Sequence, residues 1–294
     1  MRHFYNLYVW TNITRQRAFI TNTYYDEPMS FFDLAAPQPR TDRQVLPKGQ
    51  KNLRNRVAST VTRRYYKDPP VGSVDSAYEF ASHYSYDVVG NVQSLVQETR
   101  ELHVMNQGFK TVSYDYDQLS GKVNAVIYQT GQTDQFAHRY VYDDDNKLIT
   151  AYTSTRLSEF SRTAPQPNWQ YHREASYEYY QHGPLARTEL GDRRVQGIDY
   201  AYNLQGWLKG INSDRLDPRF DVGADGYASA RSASRRFVGR DAFGFSIGYF
   251  QGDYTPIGGN AVKLEQEKTS NFYKNGSADL FNGNIRNMRV GIRR

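Results

Sequence analysis

Apolar and polar residues alternate with a period of two in several stretches of the chain. The clearest stretch is residues 243–249, where aromatic and aliphatic residues alternate with glycine and serine. Such a period places successive side chains on opposite faces of a β-strand. Further strand-like segments begin at Val92, Val123 and Leu208. Helical segments with a 3.6-residue period are almost absent, so the pattern predicts an all-β protein.

Five segments share one motif, in which Tyr-x-Tyr is followed by a polar turn and then by an apolar residue. The first tyrosines lie at positions 84, 114, 140, 177 and 200, so successive copies start 30, 26, 37 and 23 residues apart. Repeats at such intervals indicate one supersecondary unit with connections of variable length. The residues that define the copies are Tyr84, Tyr86, Asp87 and Gly90; Tyr114, Tyr116, Asp117 and Gly121; Tyr140, Tyr142, Asp143 and Asn146; Tyr177, Tyr179 and Gly183; and Tyr200, Tyr202, Asn203 and Gly206.

The residue types of the motif suit a tight β-hairpin. Tyrosines two apart lie on the same face of a strand, where they can stack on a neighbouring unit. An aspartate at the first turn position, such as Asp87, can accept a hydrogen bond from the backbone two residues on. A glycine at the fourth position, such as Gly90, suits a type I turn closed by a left-handed residue. Asn146 and Asn203 are conservative replacements in the same turn.

The fourth copy departs from the motif. Tyr180 takes the aspartate position, and Pro184 follows the glycine. Because proline cannot donate a hydrogen bond to a ladder, we expect a sheet edge or an irregular turn at this copy. Taken together, the copies predict tandem hairpins in a curved or spiralling antiparallel sheet that is part of a β-shell.

Composition supports strands and narrows the possible partners. The chain has 294 residues, of which 25 are tyrosine, and it has no cysteine, so disulfides and thiolate metal sites are excluded. The net charge is +6, and the densest basic stretch runs from Arg40 to Arg56. This stretch could be a patch for nucleic acid or anionic glycans, but its prolines favour a solvated loop, so no nucleic-acid partner is expected. No apolar run approaches the roughly 18 residues that span a bilayer, and no transmembrane segment is expected.

The order of these features along the chain predicts four regions of one repeat structure. Residues 1–76 are expected to form divergent N-terminal strands with a basic, proline-containing loop, and residues 77–213 to form the repeat hairpins. Residues 214–240 are polar, small and basic, which predicts an exposed loop. Residues 241–294 are expected to carry further hairpins and to be truncated.

Candidate chemistry is sparse. The six histidines show no ligand-like spacing, and the acidic run Asp143–Asn146 is better explained as a turn than as a calcium loop. The same interpretation applies to Asp221 and Asp225. Phosphate-binding loops and nucleophile elbows are not found. We therefore expect a protein that is not an enzyme and that uses no metal or cofactor; an enzyme would instead require a cluster of perturbed carboxylates in a cleft.

Tryptophans offer one alternative, because exposed aromatic rings can stack on sugar rings. Trp169 lies in a proline-containing segment, and Trp207 follows the fifth turn, where packing across hairpins competes with ligand stacking. The chain could therefore be a surface carbohydrate- or partner-binding adhesion module, with Trp169 and Trp207 as possible stacking residues.

The segments YSYDVVGNVQSL, YDYDQLSGKV, YAYNLQGWLKGINS and DAFGFSIGYFQGDYTPIGG resemble RHS/YD-repeat proteins, most strongly between about Tyr78 and Met288. The dipeptides Tyr86-Asp87, Tyr116-Asp117 and Tyr142-Asp143 match the repeat that names this family. In its members, hairpins spiral into a hollow β-shell that encloses a C-terminal toxin in bacterial polymorphic-toxin and insecticidal toxin-complex systems. A related barrel supports adhesion in animal teneurins.

The resemblance implies a non-catalytic structural shell or scaffold segment of an exported or cell-surface protein. Such a segment would enclose or present a C-terminal effector that this chain does not contain. The self-cleaving core segment of many relatives is not apparent, since Leu216-Asp217-Pro218 lacks its glycine context. The implied partners are further RHS repeats or an effector domain of the same polypeptide, and possible glycan ligands belong to the adhesion alternative. The expected location is secreted or at the cell surface, although no export signal is recognised.

Overall fold

A computed structural model describes residues 6–9, 17–28, 49–66, 78–105, 107–156, 171–217, 220–227, 233–255 and 279–293. These residues form fifteen β-strands and two short 3₁₀ helices, which confirms the predicted all-β class. The strands are β1 (Asn6–Val9), β2 (Arg17–Tyr25), β3 (Val57–Tyr66), β4 (Tyr78–Tyr86), β5 (Val92–Thr99), β6 (Phe109–Tyr116), β7 (Val123–Tyr128), β8 (Phe136–Tyr142), β9 (Leu148–Ser154), β10 (His172–Tyr179), β11 (Leu185–Leu190), β12 (Gln196–Tyr202), β13 (Leu208–Ile211), β14 (Phe243–Gly248) and β15 (Asn287–Ile292). The 3₁₀ helices are η1 (Arg100–Met105) and η2 (Arg235–Phe237).

The chain divides into two compact units. Unit 1 comprises residues 1–139 and 154–170, and unit 2 comprises residues 140–153 and 171–294. Within unit 1, each strand from β1 to β7 pairs antiparallel with the strand that follows it. Within unit 2, the same holds for the strands from β9 to β14. The antiparallel hairpin arrangement predicted from the repeats is therefore present in both units.

The predicted turn chemistry is found in the repeat copies. The glycine or asparagine that closes the turn has a positive φ in every copy, as in Gly90 (117°) and Asn146 (62°). In the first copy, Asp87 Oδ1 accepts hydrogen bonds from the backbone N–H of Gly90 at 2.6 Å and of Asn91 at 2.8 Å. Asn203 does the same in the fifth copy, where its Oδ1 accepts from the Trp207 N–H at 2.8 Å. The side chain at the first turn position thus satisfies backbone donors that the turn leaves unpaired.

The fourth copy does not form the expected edge or irregular turn. The Tyr180 N–H donates to the Pro184 carbonyl at 2.9 Å, and the Gly183 N–H donates to the Tyr180 carbonyl at 2.9 Å, as in the third and fifth copies. The strands on either side of this turn, β10 and β11, also pair with β9 and β12. Proline is accommodated because this position of the turn uses only its carbonyl group, and β11 begins one residue later.

The second tyrosine of the motif connects one hairpin to the hairpin before it. The ladder shifts its register directly before this residue, as between Ser85 and Tyr86 and between Asp115 and Tyr116. In the first, second and fourth copies, and also at Tyr249, the tyrosine hydroxyl donates to a carbonyl at the start of an earlier strand, a contact we call the tyrosine clasp. The clasps are Tyr86 to Val57 (2.9 Å), Tyr116 to Val92 (3.1 Å), Tyr179 to Leu148 (2.9 Å) and Tyr249 to Leu208 (2.8 Å).

Burial of the phenol accompanies the clasp and raises the pKa of each of these four tyrosines, and also of Tyr142 and Tyr202 at the same motif position. Tyr249 lies outside the five copies recognised in the sequence, yet it makes the same contact. The sequence predicted that these tyrosines stack on a neighbouring hairpin; in the first, second and fourth copies the contact is a hydroxyl-to-carbonyl hydrogen bond.

Removing one clasp hydroxyl tests this role. We expect Tyr116→Phe to lower the free energy of unfolding by about 1 kcal/mol, since the Val92 carbonyl loses a donor while the aromatic ring stays in place. Tyr114→Phe is the matched control, because no hydroxyl hydrogen bond joins Tyr114 to another residue in the part of the chain that the structure covers. Urea unfolding followed by circular dichroism measures both. Equal effects of the two changes would show that the clasp contributes nothing specific.

The interior is unusually polar. A small hydrophobic cluster of Val61, Tyr78 and Ala81 lies in unit 1, with Tyr24 packed against it. Arg187, Lys209 and Glu98, however, are among the largest fully buried side chains of the described regions. A buried charge is costly unless it is paired, so these three side chains mark the positions of the buried polar networks of the fold.

One loop prediction needs correction and the other agrees with the structure. Of the basic stretch expected to be solvated, residues 49–56 are described; Lys51 and Arg54 are exposed, as predicted, while Leu53 is buried. Gln50 Nε2 donates to the Ala58 and Tyr84 carbonyls at 2.5 and 2.9 Å, which anchors this segment to β3 and β4. Residues 214–240 were expected to be exposed, but Asp221 and Asp225 in this region are buried. The Asp225 carboxylate turns inward because it pairs with the buried Arg187, and the Asp221 carboxylate accepts a hydrogen bond from the Gly223 N–H, as described next.

Candidate functional site

A buried acidic cluster in unit 2 is organised around Arg187. Arg187 lies on β11 directly opposite Asp199 on β12, and its side chain is 1% exposed. Its Nη1 donates to Asp199, its Nη2 donates to both oxygens of Asp225 at 2.9 and 3.0 Å, and its Nε donates to Glu189 at 3.1 Å. Every nitrogen of the guanidinium group is thereby engaged with a carboxylate, which is the arrangement in which a buried arginine is best tolerated.

Two more aspartates complete the cluster. The Asp221 carboxylate accepts a hydrogen bond from the Gly223 N–H at 3.0 Å, and Asp241, just before β14, accepts one from Gln196 Nε2 at 2.8 Å. Asp241 Oδ2 is buried without a hydrogen-bond donor among the residues that the structure describes. We define the acidic cluster as Arg187, Glu189, Asp199, Asp221, Asp225 and Asp241.

The local electrostatics favour protonated carboxyl groups in the cluster. Burial raises the pKa of Asp199 to about 7, even though Arg187 opposes the shift. Burial also raises the pKa of Asp225. For Asp241, burial and the neighbouring Asp221 carboxylate together raise the pKa to about 9. The cluster contains five acids around one fully buried cation, so holding a proton near neutral pH relieves part of the repulsion.

Small residues in the sequence make room for this arrangement. A Cβ at Gly197, next to the cluster on β12, would overlap the Arg187 guanidinium group and the Asp225 carboxylate. A Cβ at Gly223 would overlap the Asp199 carboxylate. Asn212 ties β12 to β14, because its Oδ1 accepts from the Asp199 N–H at 2.8 Å and its Nδ2 donates to the Phe243 carbonyl at 3.0 Å.

The cluster is suited to holding segments together rather than to binding an ion. Arg187 joins β11, β12 and residues 220–227, and Gln196 of β12 bonds Asp241 just before β14. Over the described residues, no group of three or more histidine, cysteine, aspartate or glutamate side chains is placed to hold a metal ion. The acidic cluster can take up or release a proton at its buried carboxyl groups.

A second polar centre lies in unit 1. Ser59 Oγ and His83 Nδ1 are 2.9 Å apart, and His83 Nε2 is 3.5 Å from Glu98 Oε2. Glu98 also accepts a hydrogen bond from the Tyr78 hydroxyl and lies 3.0 Å from His103 Nε2. The order serine, histidine, carboxylate resembles a nucleophilic triad, but the serine is completely buried and an external substrate cannot reach it in this conformation. The network instead links β3, β4, β5 and η1.

A third buried polar centre, an ion pair, anchors the segment after β14. Lys209 Nζ and Asp253 Oδ1 are 2.7 Å apart and both side chains are buried. Asp253 Oδ2 accepts from the Tyr249 N–H at 2.8 Å, and the Tyr249 hydroxyl makes the clasp to Leu208. The ion pair therefore positions the last clasp tyrosine.

The structure describes only one of the two tryptophans that were predicted to stack on ligands. Trp207 packs against Tyr249, with ring centroids 5.1 Å apart, and Gly283 lies close to its ring. Its position thus agrees with packing across hairpins. Trp169 lies outside the described residues.

The Asp143 side chain accepts a hydrogen bond from the Lys147 N–H at 2.8 Å, which is turn chemistry as predicted.

The sequence analysis did not identify four members of the cluster: Arg187, Glu189, Asp199 and Asp241. It considered only Asp221 and Asp225, as a doubtful calcium loop, whereas Asp225 pairs with Arg187. The sequence pattern does not show which polar residue of a strand is buried. The only available indication of the cluster was that an arginine and an aspartate would face each other across a predicted hairpin.

Comparisons with known proteins add no assignment. No protein-family model matches the chain, and a search of curated proteins finds no matching relative. Across the residues placed by the structure, no helix is long and apolar enough to cross a membrane.

Proposed function

We propose that this chain is a non-catalytic structural scaffold: a shell segment of an RHS-type exported or cell-surface protein. It would enclose an effector domain carried elsewhere in the same polypeptide, or present it at the surface. The resemblance of the repeats to that family motivates the proposal. Its role would be physical, with hairpins added one after another to extend a wall.

The observation that carries the proposal is the tyrosine clasp. One residue of the motif makes the same contact at Val57, Val92 and Leu148, and Tyr249, outside the motif, makes it at Leu208, so each such hairpin is bonded to an earlier strand by the same chemistry. A repeated contact of this kind allows a sheet to grow by adding units. The buried polar centres support the same role, because each one joins several segments of a unit and places its charges away from solvent.

Fusion of a reporter tests enclosure directly. A small, protease-sensitive domain would be attached to the C-terminus of the full chain, and its digestion compared with that of the free domain mixed with the unfused chain. If the chain encloses its cargo, we expect digestion of the fused domain to slow at least tenfold. Equal rates would exclude enclosure by this chain, and an intact, active but accessible reporter would leave presentation as its role.

The adhesion alternative makes a different prediction. A surface module would bind glycans in a saturable way, and Trp169→Ala would abolish that binding while leaving the circular dichroism spectrum unchanged. Trp207→Ala is less informative because this residue packs on Tyr249. A glycan array probed with the wild-type chain and the Trp169→Ala variant separates this function from that of a scaffold.

A further inference from the structure

Two arginines of unit 2 converge on the side chain of Tyr227. The guanidinium carbon of Arg240 lies over the Tyr227 ring, 4.4 Å from the ring centroid. Arg293 Nη2 donates a hydrogen bond to the Tyr227 hydroxyl at 2.8 Å. Tyr227 is half-buried, whereas both arginines are exposed. One aromatic side chain therefore holds two cationic groups at the surface of the unit.

Neither of these arginines pairs with a carboxylate among the described residues. Their other side-chain hydrogen bonds go to backbone carbonyls, from Arg240 Nε to Gly226 at 3.2 Å and from Arg293 Nη2 to Leu216 at 3.2 Å. Within the described regions, Nη1 and Nη2 of Arg240, and Nε and Nη1 of Arg293, have no hydrogen-bond acceptor. Two like charges held at one side chain repel each other, and an anion between them would remove that repulsion.

The backbone at Gly226 holds Arg240 in place. Gly226 has a φ of 69°, and its N–H donates to the Arg235 carbonyl at 3.1 Å. A Cβ at this position would lie 2.6 Å from Arg240 Cγ, so the arginine side chain lies directly across the glycine. An exposed arginine usually samples several rotamers, but this one is restrained by the glycine, a carbonyl and the Tyr227 ring together. Less conformational entropy is therefore lost when a ligand binds to it.

The segments that carry the two arginines are basic. Residues 226–240 and residues 286–294 each contain four arginines and no aspartate or glutamate. Three of these arginines, namely Arg235, Arg286 and Arg289, pair with acidic residues elsewhere in the unit. Arg236, Arg240 and Arg293 have no such partner in the part of the chain that the structure describes. This surface therefore carries positive charge that the protein does not neutralise, and it attracts anions.

We propose that Arg240 and Arg293 form a binding site for one doubly charged tetrahedral oxyanion, namely a sulfate group or a phosphate monoester. A guanidinium group presents its N–H donors in a planar fork that matches the oxygens of such an anion. Because Tyr227 covers one face of the Arg240 guanidinium group, the donors in its plane stay available to a ligand. Two arginines balance a doubly charged anion, whereas a carboxylate would leave one positive charge uncompensated. The site does not depend on the scaffold role proposed above.

The first experiment titrates the full chain, labelled with nitrogen-15, with sodium sulfate or sodium phosphate at constant ionic strength. NMR follows the backbone N–H signals of Gly226 and Tyr227, which we expect to shift in a saturable way with either anion. Arg240→Gln and Arg293→Gln should each weaken binding about tenfold, because each loses charge-assisted hydrogen bonds to the anion. Circular dichroism verifies that both variants fold. Arg100→Gln, at an exposed position of unit 1, is the matched control: it removes the same charge and should bind sulfate like the wild type.

A second variant distinguishes a built site from general attraction of anions to a basic surface. Tyr227→Phe keeps every charge and keeps the ring beneath Arg240, but it removes the hydroxyl that Arg293 contacts. We expect sulfate binding to weaken severalfold, since Arg293 is then no longer held beside Arg240. General attraction would be unchanged because it depends only on charge. A Tyr227→Phe affinity equal to that of the wild type would therefore overturn the site.

Further ligands identify the source of the oxyanion. Sodium acetate at the same ionic strength, and uncharged glucose, should cause no saturable shift. Glucose 6-sulfate that binds more tightly than inorganic sulfate would identify a sugar ester as the ligand, and equal affinities would identify the free anion; both results support an oxyanion site. Shifts that rise linearly with every anion, or that persist unchanged in Arg240→Gln, overturn the proposal.

Discussion

Replacing Arg187 by methionine is expected to lower the free energy of unfolding by about 3–5 kcal/mol near neutral pH, the usual cost of removing one partner of a buried ion pair. Methionine fills a similar volume, so the loss is electrostatic. The carboxylates of Asp199, Asp225 and Glu189 would each lose a donor while staying buried. Protonation of these acids would offset part of the cost, so the destabilisation should be smaller at pH 5 than at pH 8.

Urea unfolding of the full chain measures this effect, with Arg194→Met as the control. Arg194 Nε lies 3.5 Å from the same Glu189, but its side chain is partly exposed, so its removal should cost less than about 1 kcal/mol. If Arg187→Met does not fold, the triple variant that adds Asp199→Asn and Asp225→Asn should restore folding, because it removes the unpaired charges. Equal midpoints for the wild type and Arg187→Met would refute a stabilising role for the cluster.

The second large effect concerns pH and Asp241. The folded protein holds the Asp241 proton until about pH 9, whereas the unfolded chain releases it near the ordinary value of 3.8. Between these values the folded state binds more protons, so the stability from this group is complete below about pH 4 and is lost as the pH rises toward 9. At most, one such proton contributes a slope of about 1.4 kcal/mol per pH unit. Asp199, whose pKa is about 7, adds a slope of the same sign at lower pH.

Asp241→Asn should remove the Asp241 part of this slope. Asparagine resembles the protonated acid, keeps an oxygen for Gln196 Nε2 and cannot ionise beside Asp221. We therefore expect the variant to gain stability over the wild type progressively from pH 5 to pH 9. The measurement is the urea midpoint at intervals of one pH unit, with Asp145→Asn at an exposed hairpin turn as the control. A difference between Asp241→Asn and the wild type that stays constant with pH would mean that Asp241 is ionised in the folded protein.

The hairpins could be predicted from the sequence because their determinants are local. Asp87 and Gly90 are three residues apart, and the hydrogen bonds they make lie within one turn. The same locality explains Asn146, which replaces glycine and adopts a positive φ. The prediction for Pro184 was wrong because a general restriction on proline in ladders was applied to a turn position that needs only a carbonyl group.

The tyrosine clasp could be predicted only in part. The spacing of Tyr114 and Tyr116 places both rings on one face, which suggested packing on a neighbouring unit. Which tyrosine makes the bond depends on the bulge before Tyr116 and on where β5 begins, so the Val92 carbonyl could not be identified as its acceptor. Tyr249 was missed as a clasp residue because its segment lacks the rest of the motif.

The all-β class, the antiparallel hairpins and the chemistry of their turns were predictable from the sequence alone, because they depend on residues close together in the chain. The inward orientation of the polar region after residue 214 depends instead on contacts between distant segments. Asp225 meets Arg187 across 38 residues of sequence, and the pKa of Asp241 depends on burial by segments from several strands. Polar composition cannot distinguish an aspartate in solvent from one beside a buried arginine, since desolvation and pairing depend on the surrounding fold.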